Sequence, residues 1–169
     1  MAQVFNSRVA DTAYEYAKAL LVPITKKALK QTIEENPFYP SLYSISHVFE
    51  KNGIPNEAYR VEDALPEEIP APFIAYARTN EAGKDFVLVT SADKEKVTFT
   101  YNKKHFSVTN DEFLKIWEKI AFIAKPTEKS GEADYIKTNK KKNISSEKHL
   151  FLLEGHSWLS SYIQCSLLV

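Results

Sequence analysis

The chain has 169 residues, 44% of them hydrophobic, with 22 basic residues against 22 acidic ones. That length and composition suit one globular domain with a polar extension and exclude a wholly disordered chain. Zero net charge argues against a nucleic-acid partner, which ordinarily demands a basic excess. The single cysteine, Cys165, excludes intramolecular disulfides and cysteine-based metal clusters.

In chain order, the opening MAQVFNS lacks a basic start followed by an apolar run and is not read as a secretory signal. Val9, Ala13, Tyr16, Ala17 and Leu20 recur at helical spacing until Pro23 stops the run. Thr25 is placed to cap a second helix through Asn36, with Ala28, Leu29 and Ile33 facing inward. NPFYPS reads as a turn into a third helix, SLYSISHVFEKN. Leu42, Ile45, Val48 and Phe49 share one face of it, and Gly53 ends it in a left-handed conformation. The period then changes to two. EAYRV, PAPFIAYAR, DFVLVTS, KVTFTY and KHFSV read as strands, with NEAGK and ADKEK as turns between them. Thr109 and the acidic residues after it predict a helix through Trp117, and AFIAKP reads as a last strand. Helices first and an antiparallel sheet after predict an α+β domain.

From Thr127 the composition turns polar and charged, as a linker does, and HLFLLEGHSWLSSYIQCSLLV is an apolar tail. Its uncharged run from Gly155 to Val169 is shorter than the roughly 20 apolar residues of a membrane-spanning helix. The expected division is a domain at 1–126, a polar linker at 127–148 and a tail at 149–169, the tail having the character of a truncated membrane segment. Lys140, Lys141 and Lys142 fit a position just cytoplasmic of a membrane, and equally a solvated charge run open to proteolysis.

Conventional site chemistry is sparse. His47 falls on the third helix and His105 before a strand, neither with a nucleophile in reach by spacing. His149, Glu154 and His156 share no helix face, so no metal site and no cofactor are expected. Glu34–Glu35 and Glu67–Glu68 are adjacent pairs whose side chains diverge, and the four glycines form no phosphate loop. Cys165 has no charged neighbour in sequence to activate it.

The strings PSLYSISHVFEKNGI, EAYRV, IPAPFIAYA, DFVLVTSADKEKVTFTY and TNDEFLKIWEKIAFIAKP, in that order and spacing over residues 3–126, resemble the papain-like cysteine peptidase domain (peptidase family 39) of bacteriocin-exporting transporters. They are similar still more closely to degenerate members found ahead of vitamin K epoxide reductase-like membrane domains. The resemblance implies a papain-like fold with N-terminal helices packed on an antiparallel sheet and a cleft between them. Gln3 fits the family's oxyanion glutamine. Arg8 then stands where the catalytic cysteine is expected, Asp85 where the histidine is, and Tyr101 or Asn102 where the orienting aspartate is. Papain-like cleavage needs a thiolate activated by an imidazole, and neither side chain occurs at those places.

The expected function is therefore a catalytically inactive peptidase-like domain that binds a peptide or a partner protein segment. It would serve a bacterial membrane transporter or thiol oxidoreductase, beside a downstream membrane domain of the same polypeptide or complex. The alternative is an active leader-type cysteine peptidase with an unrecognised site. Phe38, Tyr39 and Tyr43 are candidates for peptide-binding pockets, or for packing of the turn onto the core. The expected location is the cytoplasmic face of the membrane, or the cytoplasm if the tail is not native.

Overall fold

The computed structural model describes residues 8–81, 83–132 and 135. The chain divides into two compact units, Met1–Glu132 and Ala133–Val169. Gln3, Lys140–Lys142 and the apolar tail with Cys165 lie outside the described residues.

The helices come first: α1 (Val9–Ala19), α2 (Lys26–Glu34) and α3 (Leu42–Lys51). Then follow β1 (Asn56–Arg60), a 3₁₀ turn at Pro66–Glu68, β2 (Phe73–Thr79), β3 (Gly83–Ala92), β4 (Lys96–Tyr101), β5 (Lys104–Thr109), α4 (Asn110–Ile116) and β6 (Trp117–Ala124). The six strands form one sheet in the order β1-β6-β2-β3-β4-β5, and every neighbouring pair is antiparallel. This is the α+β architecture that the sequence pattern predicts.

The helix ends follow local chemistry. The Thr25 hydroxyl accepts from Ala28 N, and the Ser41 hydroxyl accepts from Ser44 N, each satisfying an orphan donor of the first turn. Thr109 and Glu112 cap each other reciprocally at the start of α4. At the end of α3, Gly53 takes φ 65° while Ile54 N reaches back to Phe49 O. Leu21 does the same work after α1 at φ 58°, although it has a side chain and is 89% exposed.

Two boundaries differ from expectation. Helix α2 ends at Glu34, not Asn36. Trp117 is not the end of α4 but the first residue of β6, which starts well before AFIAKP. The cause is a bulge: Lys119 adopts φ 58°, and the pairing with β2 shifts between Tyr76 and Ala77. Trp117 Nε1 donates to Ile120 O at 2.9 Å, and Lys119 Nζ lies 4.9 Å from the Trp117 ring centroid. These contacts hold the irregular stretch that a helix-period reading runs through.

The sheet is buried on both faces at its centre, so β2 and β3 read as near-continuous apolar runs instead of alternating. One face, with Ile74, Leu88 and Phe122, packs against α1–α3 around Tyr16 and Phe49. The other, with Phe73, Val87, Val89 and Phe99, packs against Phe113 of α4 and Ile69. Tyr16 stacks on Phe49, and both meet Phe122 edge to face, with ring centroids 5.7–6.2 Å apart. Burying such side chains contributes roughly 1.5–3 kcal/mol each. Tyr16 Oη accepts from Ala124 N at 2.7 Å, tying α1 to β6.

The residues directly after β6 are held down. Gly131 N donates to Asn52 O, Glu132 N donates to Pro23 O, Ser130 Oγ donates to Gly53 O, and Thr25 N donates to Glu132 Oε2. Residues 127–132, which read as the start of the linker, thus form a strap across the ends of α1 and α3. Hydrogen bonds and glycine fix it with little apolar burial, so hydropathy does not reveal it. No helix among the described residues is long and apolar enough to cross a membrane.

Candidate functional site

Arg8 immediately precedes α1 and supplies no side-chain cap to it. Asp85 is an early residue of β3 and Tyr101 the last of β4. Antiparallel pairing of the two strands, with Leu88 opposite Thr100, brings the start of one beside the end of the other. Tyr101 Oη donates to Asp85 Oδ2 at 3.0 Å, and Phe86 N donates to Asp85 Oδ1 at 2.8 Å, so both carboxylate oxygens are engaged. Arg8 Cζ stands 6.0 Å from the Tyr101 ring centroid, at the limit of a cation–π contact. The three positions that the family resemblance singles out lie together.

Burial raises the Tyr101 phenol above its ordinary value. The Asp85 carboxylate adds to this, while Thr79 and the Arg8 charge pull the other way. Tyr101 is therefore a protonated donor at neutral pH. The cluster presents a guanidinium, a carboxylate and a phenol.

Asn102 is not turned toward Asp85. With φ values of 52° and 61°, Asn102 and Lys103 make the two-residue turn between β4 and β5. Asn102 Nδ2 donates to Glu81 Oε2 at 2.8 Å. Lys104 Nζ donates to Glu81 Oε1 at 2.7 Å and, with Asn102, holds the Glu81 carboxyl below its usual range. The expectation that Asn102 serves as an orienting group gives way to a role pinning the turn to Glu81.

A cavity of about 160 Å³ opens beside Arg8, bounded by Thr12, Glu15, Leu88, Thr100 and Lys103 among others. Thr100 Oγ1, on the cavity wall, lies 3.2 Å from His105 Nδ1; the two residues pair across the strands one position along from Tyr101 and Lys104, on the opposite face from Tyr101. His47 stacks on Tyr43 at 6.1 Å, on α3. Neither histidine joins the Arg8 cluster. Among the described residues, no three His, Cys, Asp or Glu side chains gather as a metal site.

The three candidate aromatic residues separate. Phe38 and Tyr43 are more than half exposed and meet edge to face at 4.8 Å, extending through Tyr43 to His47. Tyr39 is half-buried and packs against the helical core. Residue-by-residue reading missed Thr79, Glu81 and Lys103. A visible signal was available for Lys103: an Asn-led pair between two strands marks a tight hairpin turn, and that turn sets Lys103 on the wall of the cavity beside Arg8.

A family model described as the peptidase C39 family matches residues 17–129. The chain belongs to the peptidase C39 family. The matched span includes Asp85 and Tyr101 and begins after Arg8. Among solved structures, the peptidase domain of Streptococcus ComA, a bifunctional ABC transporter involved in a quorum-sensing pathway, is similar with a TM-score of 0.60 and 14% identity, over 75% of this chain and 97% of that one. A double-glycine-motif protease from an AMS/PCAT transporter, in complex with its leader peptide, has a TM-score of 0.59 and 15% identity, over 75% and 89%. The N-terminal peptidase C39-like domain of a toxin-secretion ATP-binding protein from Vibrio parahaemolyticus has 0.55 and 13%, over 72% and 98%. At these identities the likeness is one of fold, and it is the papain-like C39 peptidase fold predicted from the sequence strings. No curated protein matches the chain.

Proposed function

We propose that this C39-type domain is catalytically inactive and binds an extended peptide or partner segment, as part of a bacterial membrane transporter or thiol oxidoreductase. The observation that carries the reading is the cluster itself. In this reading Arg8, Asp85 and Tyr101 stand at the family's catalytic places, and Tyr101 and Asp85 satisfy each other instead of poising a nucleophile. A guanidinium is no nucleophile at neutral pH, and a carboxylate hydrogen-bonded on both oxygens is poorly placed to shuttle a proton.

Binding is supported by what the fold keeps. A cavity opens beside Arg8, and the exposed Phe38 and Tyr43, with half-buried His47, offer an aromatic ledge for a peptide side chain or an amphipathic helix. A similar fold is known with a leader peptide bound. In this reading the domain lies at the cytoplasmic face of the membrane, next to a membrane domain of the same polypeptide or complex.

The test compares the full chain with its Cys165→Ser variant in cleavage and binding assays against a double-glycine leader peptide. Binding without cleavage, equal in both proteins, is expected. Thiol-dependent turnover that vanishes in Cys165→Ser would instead establish the alternative, an active peptidase using an unrecognised site.

A further inference from the structure

We infer that the cavity beside Arg8 takes a carboxylate, namely the free C-terminus of a peptide that has already been cleaved. The inference rests on the peptide-binding reading above and narrows its ligand class. In a papain-like cleft the nucleophile sits against the scissile carbonyl carbon, and that carbon becomes the carboxylate of the released N-terminal product. Whatever side chain replaces the nucleophile therefore faces the product's carboxylate. Here that side chain is a guanidinium, whose planar fork matches a carboxylate in bidentate fashion.

The local charges agree. Arg8 makes no ion pair within hydrogen-bonding reach among the described residues; its guanidinium lies over the Tyr101 ring, and its charge also acts on the Glu81 carboxylate. Lys103, across the cavity wall, is likewise unpaired among them. The acids nearby are already engaged: Asp11 by Lys26 and Lys30, and Glu81 by Lys104 and Asn102. Glu15 is the remaining carboxylate on the wall. It stands two turns along α1 from Arg8, roughly 10 Å of helix rise, far enough to leave the Arg8 end of the cavity cationic. Asp85, the buried acid beneath Tyr101, has both oxygens occupied and does not compete for the guanidinium. A volume of about 160 Å³ holds a terminal residue or two of small side chain, not a folded partner.

This makes the domain a receptor for the product of a peptidase, not for its substrate. The experiment measures, by titration calorimetry on the full chain, three versions of one leader peptide: ending in Gly-Gly with a free acid, ending in Gly-Gly-amide, and continuing uncut through the Gly-Gly. The free acid should bind at least tenfold tighter than the other two. Arg8→Gln should erase that preference, and Lys103→Gln should reduce it. Equal binding of acid and amide to the unaltered protein would overturn the inference and leave peptide binding standing. A preference that persists in a folded Arg8→Gln protein would overturn it too. Binding of none of the three would overturn both this inference and the peptide-binding reading. Inorganic phosphate that displaces the free-acid peptide at equal concentration would mark a general anion site and overturn the assignment to a peptide terminus.

Discussion

Tyr101 Oη and Asp85 Oδ2 are joined by a 3.0 Å hydrogen bond between the last residue of one strand and an early residue of its neighbour. Asp85 is only 7% exposed and Tyr101 only 3%, so water cannot readily replace either partner. Tyr101→Phe should destabilise the domain by about 1–3 kcal/mol, the usual cost of stripping a partner from a buried polar group. Adding Asp85→Ala to it should cost less than the sum of the two single changes. Urea unfolding of the four proteins in the cycle checks this, and strict additivity would show the bond to be energetically idle.

Tyr16 gives the domain an alkaline limit. Burial pushes its phenol up to about 12, against the opposing effect of the hydrogen bond from the Ala124 amide. An unfolded tyrosine titrates near pH 10. Between those values the folded chain keeps a proton that the unfolded chain has lost. The contribution of Tyr16 is thus fully present below pH about 10 and falls away as pH rises toward 12. Tyr16→Phe should flatten the stability profile above pH 10. At neutral pH it should cost about 1–3 kcal/mol, because Ala124 N loses its acceptor in the core. Chemical denaturation from pH 7 to 11 separates the two effects.

Arg8→Cys should restore no cleavage of a double-glycine leader peptide. On the proposed reading it supplies a thiol but leaves Asp85 where the imidazole is needed, and members of a catalytic triad act as a unit. A product ladder by mass spectrometry reads the outcome directly. Measurable cleavage by the single variant would mean that His105, or another base, reaches the site.

Leu21→Gly should stabilise the protein, or at worst leave it unchanged. The residue is 89% exposed, so little burial is lost, while its φ of 58° burdens a side chain that glycine lacks. Relief of about 1–2 kcal/mol of left-handed strain is offset in part by the greater freedom of glycine in the unfolded chain, about 0.4–1 kcal/mol. A shift of the thermal midpoint to clearly lower temperature would contradict this.

Gly131→Ala should have the opposite sign. Gly131 holds φ 122°, and a Cβ there would meet Pro23 Cγ and Pro23 O at 2.7 Å. Neither a proline ring nor a backbone carbonyl can swing aside cheaply. The strap should detach, with a loss of more than about 1 kcal/mol and faster hydrogen exchange at Gly131 N and Glu132 N. Unchanged exchange would mean that the strap tolerates a methyl group.

Much of this architecture is written in periodicity. Val9, Tyr16, Ile33, Val48 and Phe49 mark their buried helix faces by spacing, and Val87, Val89, Val97 and Phe99 mark strand faces. What escapes is held by groups without hydropathy. The start of β6 is obscured because Lys119 breaks the strand pattern within a bulge. The strap is obscured because Ser130, Gly131 and Glu132 bind through backbone and polar atoms. At the site, chain spacing carried over from the family resemblance reaches Arg8, Asp85 and Tyr101. It cannot foresee that Asn102 would turn to Glu81, since that depends on the conformation of a two-residue turn. Nor can it separate Tyr39 from Phe38 and Tyr43, because neighbouring aromatic residues in a turn take opposite sides for reasons of packing alone.

The sheet order fixes when this domain can fold during synthesis. Strand β1 pairs only with β6, and β2 reaches β1's side of the sheet only through β6. The position between β1 and β2 is therefore filled by β6, the last made of these six strands. While the ribosome is still extending the chain toward Trp117, β1 has no partner and β2 has an open apolar edge, the arrangement most prone to pair with another nascent chain. Asn56 meets Ala124 only after the intervening sequence has emerged, so this closure is a slow, non-local event. A ribosome stalled before β6 leaves a chain with its helices made and its sheet split, a natural target for holding chaperones.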